Sequence, residues 1–354
     1  MTSAWLTLLK EVIGSPFITI SHSHRREFPF SWKYYLLACN NRIPLIYLGR
    51  VRSNSQFYLS LYNYHRERFH RIIKVIREVS EVFEQNDIEY AIIKTLRPYP
   101  EDTADVDILI FNGEEEYYRS IKILSKIFKP INVSRKSSEA GFYDYKPFKV
   151  LPYAGYWYRD PIKLDVHKEL AVLNLAYIDK NDLSVYVRKM RLSDGEETNV
   201  LMPVAELLVN VAHSVIKENS FSLADYLTTL YYLAELRDSE VRRLVSLVIK
   251  NKLKSTFRWY MNFVALIHLI AHGFIPENLK SILQKLDGPL VTSEDFITIT
   301  QQKPPYKLGT AVLMRVYGEK LQHDLFRKNM PIAILKALRE KETMKTILER
   351  LFNI

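Results

Sequence analysis

Three aspartates in this chain have the types and spacing of a site for a divalent cation. Asp105 and Asp107 are one residue apart in the run DVDILIF at 105–111, and Asp165 lies in the run IKLDVH at 162–167. Both runs are short, apolar and rich in branched residues, as is typical of strands. Residues two apart in a strand point to the same face, so Asp105 and Asp107 share one face.

If the two strands are neighbours, the three carboxylates converge on one patch. Like charges that close repel one another unless a cation neutralises them, and oxygen-only ligands select magnesium or manganese over zinc. The alternative is that each aspartate is a solvated acid at a strand edge. Lys163 and His167 share the face of Asp165, and for His167 a hydrogen-bonded structural role is favoured over a catalytic one.

The elements that must position these residues are predicted from periodicity. Strand-like runs occupy 88–93, 105–111 and 162–167, and a mixed apolar stretch at 148–158 indicates a further strand or hairpin arm. The period of an amphipathic helix runs through 64–85 and 114–128, and beyond Pro203 through 204–217, 223–237, 239–253 and 257–272. The pattern predicts an α+β fold, a small mixed sheet between an N-terminal helical segment and a C-terminal helical domain. The predicted divisions are a helical, basic segment at 1–71, an α+β core at 72–200 and a helical domain at 201–354.

Charge is unevenly distributed along the 354 residues, whose net charge is +10. Residues 1–71 contain ten Lys and Arg against three Glu, a balance of +7. Such asymmetry favours a polyanionic partner such as RNA. Arg66, Arg68 and Arg71 are then expected to form one wall of an acceptor path. The alternative is that they are a solvated face or pair with acids of the C-terminal helices.

Several classes of site and location are excluded or disfavoured. The single cysteine, Cys39, rules out an intramolecular disulfide and a cysteine-rich zinc site. Neither GxxxxGK[ST] nor GxGxxG occurs, so a nucleotide must be held mainly by metal and side chains. The N-terminus is too polar for a secretory signal, and the longest apolar stretch, 263–275, is shorter than the ~20 residues that span a bilayer. We therefore expect no membrane partner and a cytoplasmic location.

The run YAIIKTLRPYPEDTADVDILIF at 90–111, followed by IKLDVHKEL at 162–170, resembles a family of nucleotidyltransferase-like proteins of the polymerase beta superfamily. In that family a strand ends in a Lys-Gly or Gly-Ser turn, a DxD strand follows, and a third strand carries one aspartate. The resemblance extends over roughly residues 36–235, including the flanks NNRIPLIYLG and MPVAELLVNVAHSVIKENSFSLADYLTTLYYL.

The resemblance implies a role for each matching residue. Asp105 and Asp107 would hold two magnesium (or manganese) ions on the triphosphate of a bound NTP, and Asp165 would ligate the catalytic metal and help deprotonate an acceptor hydroxyl. Lys94 and Thr95 stand at the family's turn, close to the phosphates, although Thr95 replaces the expected glycine.

Three functions follow as alternatives. The first is a magnesium-dependent nucleotidyltransferase that moves a nucleoside monophosphate to a hydroxyl on RNA, protein or a small molecule. The second is a nucleic-acid or protein-binding module that keeps the fold without turnover. The third is the nucleotidyltransferase component of a toxin–antitoxin pair. The sequence determines neither the base preference, the acceptor nor the oligomeric state.

Overall fold

The computed structural model describes residues 3–18, 28–133, 137–144, 161–172, 175–193, 195–288, 299 and 302–339. Its strands are β1 (Phe28–Pro29), β2 (Val51–Arg52), β3 (Tyr90–Ile93), β4 (Asp105–Ile110), β5 (Lys129–Asn132), β6 (Glu139–Tyr143), β7 (Lys163–His167), β8 (Leu170–Val172), β9 (Leu175–Ile178), β10 (Val187–Arg191), β11 (Glu197–Leu201), β12 (Ser220–Phe221) and β13 (Tyr306–Lys307). Its helices are α1 (Ala4–Thr7), α2 (Trp32–Asn40), α3 (Pro44–Leu48), α4 (Gln56–Glu84), α5 (Glu114–Leu124), α6 (Asn181–Ser184), α7 (Pro203–Ala212), α8 (Leu223–Glu235), α9 (Asp238–Lys250), α10 (Lys254–His272), α11 (Glu277–Lys285), α12 (Thr310–Lys320) and α13 (Asp324–Arg339). One π-helical segment, Leu8–Ile13, continues α1, and another, His213–Lys217, continues α7.

Seven of the described strands form one mixed sheet in the order β10-β11-β3-β4-β7-β6-β5. The centre of this sheet is β4, which pairs antiparallel with β3 on one side and parallel with β7 on the other. Strand β6 then pairs antiparallel with β7. The two strands that carry the aspartates are therefore immediate neighbours.

The sheet separates two hydrophobic cores. On one face, Val106, Ile108 and Ile110 of β4 pack with the apolar stripes of α4 and α5. On the other face, Leu109 belongs to a larger core that joins the N-terminal helices to α7, α8, α9 and α10. Because side chains alternate along a strand, Asp105 and Asp107 lie on the same face as Leu109. The aspartates thus face the C-terminal helices rather than α4.

Local chemistry sets the limits of α4, the long helix that covers the first face. The Ser55 hydroxyl caps its N-terminus by accepting from the Tyr58 amide at 3.1 Å, an interaction that typically stabilises a helix by about 1 kcal/mol. Along its length, Ile76, Val79 and Phe83 are fully buried against the sheet. After α4, Asp87 adopts a positive φ of 51°, which turns the chain towards β3.

The mixed α+β class predicted from the sequence is confirmed, and the three strand-like runs appear as β3, β4 and β7. The helix predicted at 64–85 starts earlier, at Gln56. Strands β5, β6, β10 and β11 were not predicted. Polar residues make up half or more of β5, β10 and β11, and β5 is exposed throughout, whereas β6 contains Gly141, a residue type that is depleted in strands. The predicted strand or hairpin arm at 148–158 lies outside the described residues.

Domain limits at 71 and 200 stay a prediction. Residue 71 lies inside α4, and the N-terminal helices share the larger core with helices beyond residue 200. Among the described residues, no helix is long and apolar enough to cross a membrane.

Candidate active site

Strand register brings the three predicted aspartates together. In the parallel pair β4–β7, Asp107 lies directly opposite Asp165, and Asp105 lies opposite Lys163. Opposite residues of paired strands share a sheet face, so the three carboxylates lie on the side of the sheet that faces α7. The common face and the neighbouring strands agree with the prediction from strand parity.

Asp107 is buried, and its charge is already neutralised by the protein. Lys94 Nζ donates to Asp107 Oδ1 at 2.7 Å, and His167 Nε2 lies 2.7 Å from the same oxygen. Burial alone would raise the pKa of Asp107, but Lys94 and His167 outweigh it and hold this pKa well below its usual value. Burial lowers the pKa of His167, although Asp107 and Glu139 act in the opposite direction. Asp107 is therefore an ionised carboxylate in an ion pair with Lys94.

The pKa values of Asp105 and Asp165 are raised, whereas that of Asp107 is lowered. Burial, followed by the charges of Asp107 and Asp165, raises the pKa of Asp105 to about 6. Burial, followed by Glu139 and Asp107, raises the pKa of Asp165 to about 6. Lys163 Nζ lies 2.8 Å from the Asp165 carboxylate but does not remove this shift. The patch thus keeps an excess of negative charge that a further cation would relieve.

In the turn after β3, the residue with a backbone conformation typical of glycine is not at position 95, where the resemblance placed a glycine. Lys94, not Thr95, has a positive φ, of 58°, the conformation that glycine adopts most easily. The Lys94 amide donates to Glu206 Oε1 at 2.5 Å, and the Thr95 hydroxyl accepts from the Asp107 amide at 2.9 Å. Thr95 therefore ties the turn to β4, and the Lys94 ammonium points to Asp107. The predicted contact of both residues with phosphates stays a prediction.

Sequence reasoning missed four charged or titratable groups that surround the aspartates. Lys217 Nζ donates to Glu139 Oε2 at 2.9 Å, and the same oxygen lies 3.4 Å from His167 Nδ1. Lys94 Nζ lies 3.3 Å from His213 Nδ1, whose other ring nitrogen is 3.4 Å from Glu218. Glu139 is on β6, whereas the other three follow α7. The only sequence signal is the i, i+4 spacing of His213 and Lys217, which gives no indication of their partners.

These residues have the donor chemistry for magnesium or manganese but are not arranged as a ready site. Among the described residues, no three His, Cys, Asp or Glu side chains are placed to hold a metal ion together. The ammonium groups of Lys94 and Lys163 lie at the two opposite aspartates, Asp107 and Asp165. A metal ion at these carboxylates would have to displace at least Lys94.

The prediction that Arg66, Arg68 and Arg71 form one basic wall is wrong for Arg68 and Arg71. Arg68 is fully buried and donates to the carbonyls of Thr103 and Ala104 at 3.2 and 3.1 Å. Arg71 pairs with Asp144 at 2.7 Å. Buried carbonyls and a neighbouring acid need these guanidinium groups, so only Arg66 is exposed to a partner.

No protein-family model matches the chain, and no curated protein matches it either. Among solved structures, it is similar to the crystal structure of an antigenic nucleotidyltransferase-like protein from Paracoccidioides brasiliensis, with a TM-score of 0.32 and 14% sequence identity. The similarity covers 52% of this chain and 91% of that chain. A TM-score below 0.5 does not define a shared fold.

Proposed function

We propose that the chain is a metal-dependent nucleotidyltransferase with a polymerase beta-like core, which transfers a nucleoside monophosphate from an NTP to a hydroxyl acceptor. One observation carries the proposal: Asp107 and Asp165 are opposite each other on parallel strands, with Asp105 on the same face. The Lys94-Thr95 turn supports it, because Thr95 is bonded to the Asp107 amide at 2.9 Å. The turn, the DxD strand and the single-aspartate strand are thus one connected unit.

Asp105, Asp107 and Asp165 would be the ligands of magnesium or manganese. Such ions, when bound, lower the barrier by activating the attacking hydroxyl and stabilising the leaving oxygen. Burial is the largest cause of the raised pKa of Asp105 and Asp165, about 6 for each, and the neighbouring carboxylates add to both shifts. That contribution from like charges supports cation binding. The acceptor could be RNA, a protein or a small molecule.

Nucleotide transfer is tested with the purified protein, each of the four NTPs labelled at the α-phosphate, and magnesium, manganese or a chelator. Total RNA and a protein extract serve as acceptors. The proposal predicts a labelled acceptor only with metal. It also predicts no label when the same NTP carries the label at the γ-phosphate, which distinguishes nucleotidyl from phosphoryl transfer. Asp107→Asn should abolish labelling, whereas Asp238→Asn, which removes an exposed acid at the start of α9, should not.

A second candidate is a binding module of the same fold without turnover. The observation that favours it is the Lys94–Asp107 ion pair, in which the protein's own ammonium supplies the charge that a metal would supply. Binding of an NTP or RNA without labelling of any acceptor, under both metals, would favour this module over the enzyme.

A further inference from the structure

A cavity lies away from the aspartates, between α3, the first half of α4 and the loop at 98–100. Its volume is about 440 Å³, within the range of small-molecule sites. None of the groups around Asp107 lines it, and none of the described residues that line it is acidic. Its chemistry is therefore independent of the aspartate patch.

Two arginines, Arg50 and Arg66, contribute positive charge to the lining of this cavity. Arg50 follows α3, and Arg66 lies on the exposed side of α4, one turn from His70. The Arg66 guanidinium carbon is 6.0 Å from the centre of the Tyr62 ring, a distance at which cation–π attraction favours one orientation of the guanidinium. Arg68 and Arg71 on the same helix are bonded to protein groups, as described above. Arg50 and Arg66 are thus placed for an anion from outside.

Aromatic rings form the other wall of the cavity. Tyr99 is held by a hydrogen bond of 3.0 Å between its hydroxyl and Thr228, and its ring centre is 5.4 Å from that of Tyr231. Pro98 and Pro100 flank Tyr99 and restrict the backbone of the loop. Phe69 lines the cavity from α4. The rings are fixed by protein contacts, so a flat ligand would bind to a preformed surface.

We infer that this cavity binds a nucleoside phosphate, either as a free nucleotide or as the terminal nucleotide of a single strand. The phosphate would contact Arg50 and Arg66, because guanidinium groups match phosphate oxygens in charge and geometry. The base would stack on the aromatic wall, as bases do in proteins that bind single strands. None of the described residues that line the cavity is a carboxylate that could hold a metal ion, so we expect binding without a metal.

The test is calorimetric titration of the full chain, in a chelator, with AMP, ribose 5-phosphate, inorganic phosphate and a single-stranded oligoadenylate. AMP should bind about 5- to 150-fold more tightly than ribose 5-phosphate or phosphate, since base stacking contributes roughly 1–3 kcal/mol. If the oligonucleotide binds more tightly than AMP, the ligand is the end of a strand. If the two bind equally, the ligand is a free nucleotide. Both results support the inference.

Arg66→Gln and Arg50→Gln should each weaken AMP binding about ten-fold or more, the effect of one charge-assisted hydrogen bond. Lys74→Gln is the matched control, because it removes an exposed positive charge of α4 that does not line the cavity. None of the three aspartates lines the cavity, and the chelator removes metal from their site, so failure of the proposed catalytic function would not affect this result. The inference is wrong if the wild type binds none of the four ligands in chelator, or if Lys74→Gln weakens binding as much as Arg66→Gln.

Discussion

Replacement of Lys94 by methionine tests the electrostatic state of the aspartate patch directly. The side chains of Lys94 and Asp107 are each only 9% exposed, and their charged atoms are 2.7 Å apart. Removal of one partner of such a pair leaves an uncompensated buried charge, which costs about 3–5 kcal/mol of unfolding free energy. The positive φ of Lys94 is present in both proteins and does not contribute to the difference. We therefore expect Lys94→Met to lower the unfolding free energy by about 3–5 kcal/mol.

The control is Lys163→Met, which removes the ammonium group beside Asp165. The Lys163 side chain is 41% exposed, and pairs screened by solvent typically contribute about 0–1 kcal/mol. Lys163→Met should therefore cost far less than Lys94→Met. Urea titration followed by circular dichroism measures both changes.

Two further measurements complete this test. The double variant Lys94→Met/Asp107→Asn should be destabilised by at least about 1 kcal/mol less than the sum of the single variants, because the two groups interact directly. Magnesium should restore part of the stability of Lys94→Met, since the variant leaves Asp107 open to a cation. The reasoning is refuted if Lys94→Met costs less than about 1 kcal/mol, or if the single changes are additive.

Three other predictions follow from the structure. Magnesium or manganese should raise the melting temperature of the wild type more than that of Asp107→Asn, and an equal rise in scanning calorimetry would place the metal elsewhere. Lys320 is fully buried and donates to the carbonyls of Tyr177 and Asn251 at 2.8 and 2.6 Å; burial lowers its pKa to about 7 from 10.5. Between these two pKa values the unfolded chain holds more protons than the folded one, so the unfolding free energy should rise by up to a few kcal/mol from about pH 7 to 10.5. Lys320→Met should flatten that rise in urea titrations. An unchanged pH dependence would show that Lys320 is not its cause. Arg68→Met should lower the unfolding free energy by about 2–4 kcal/mol, because two carbonyls lose their donor. Arg66→Met, on the exposed side of α4, should change it by about 0.5 kcal/mol or less. Similar urea midpoints for the two variants would show that the hydrogen bonds of Arg68 are not important for stability.

The sequence alone determined the local geometry of the candidate site. Alternation along a strand places Asp105 and Asp107 on one face, and this follows from backbone geometry without any tertiary contact. Apolar runs bounded by turn residues were sufficient to locate β3, β4 and β7, and helical periodicity located α4 and the C-terminal helices. These features depend on residues close together in the chain.

Tertiary structure decided which groups meet the aspartates. Lys94 follows β3, Glu139 lies on β6, and His213 and Lys217 follow α7, so their convergence depends on strand order and on the packing of α7 against the sheet. Tertiary structure also decided which partners the N-terminal arginines contact. Arg68 is buried because it is the donor for carbonyls 35 and 36 residues further along the chain. Helical periodicity places Arg68 four residues from buried Tyr64 and Ile72, whereas Arg66 lies on the exposed side of α4. The carbonyls that accept the hydrogen bonds of Arg68 depend on tertiary structure, because they are distant in the chain.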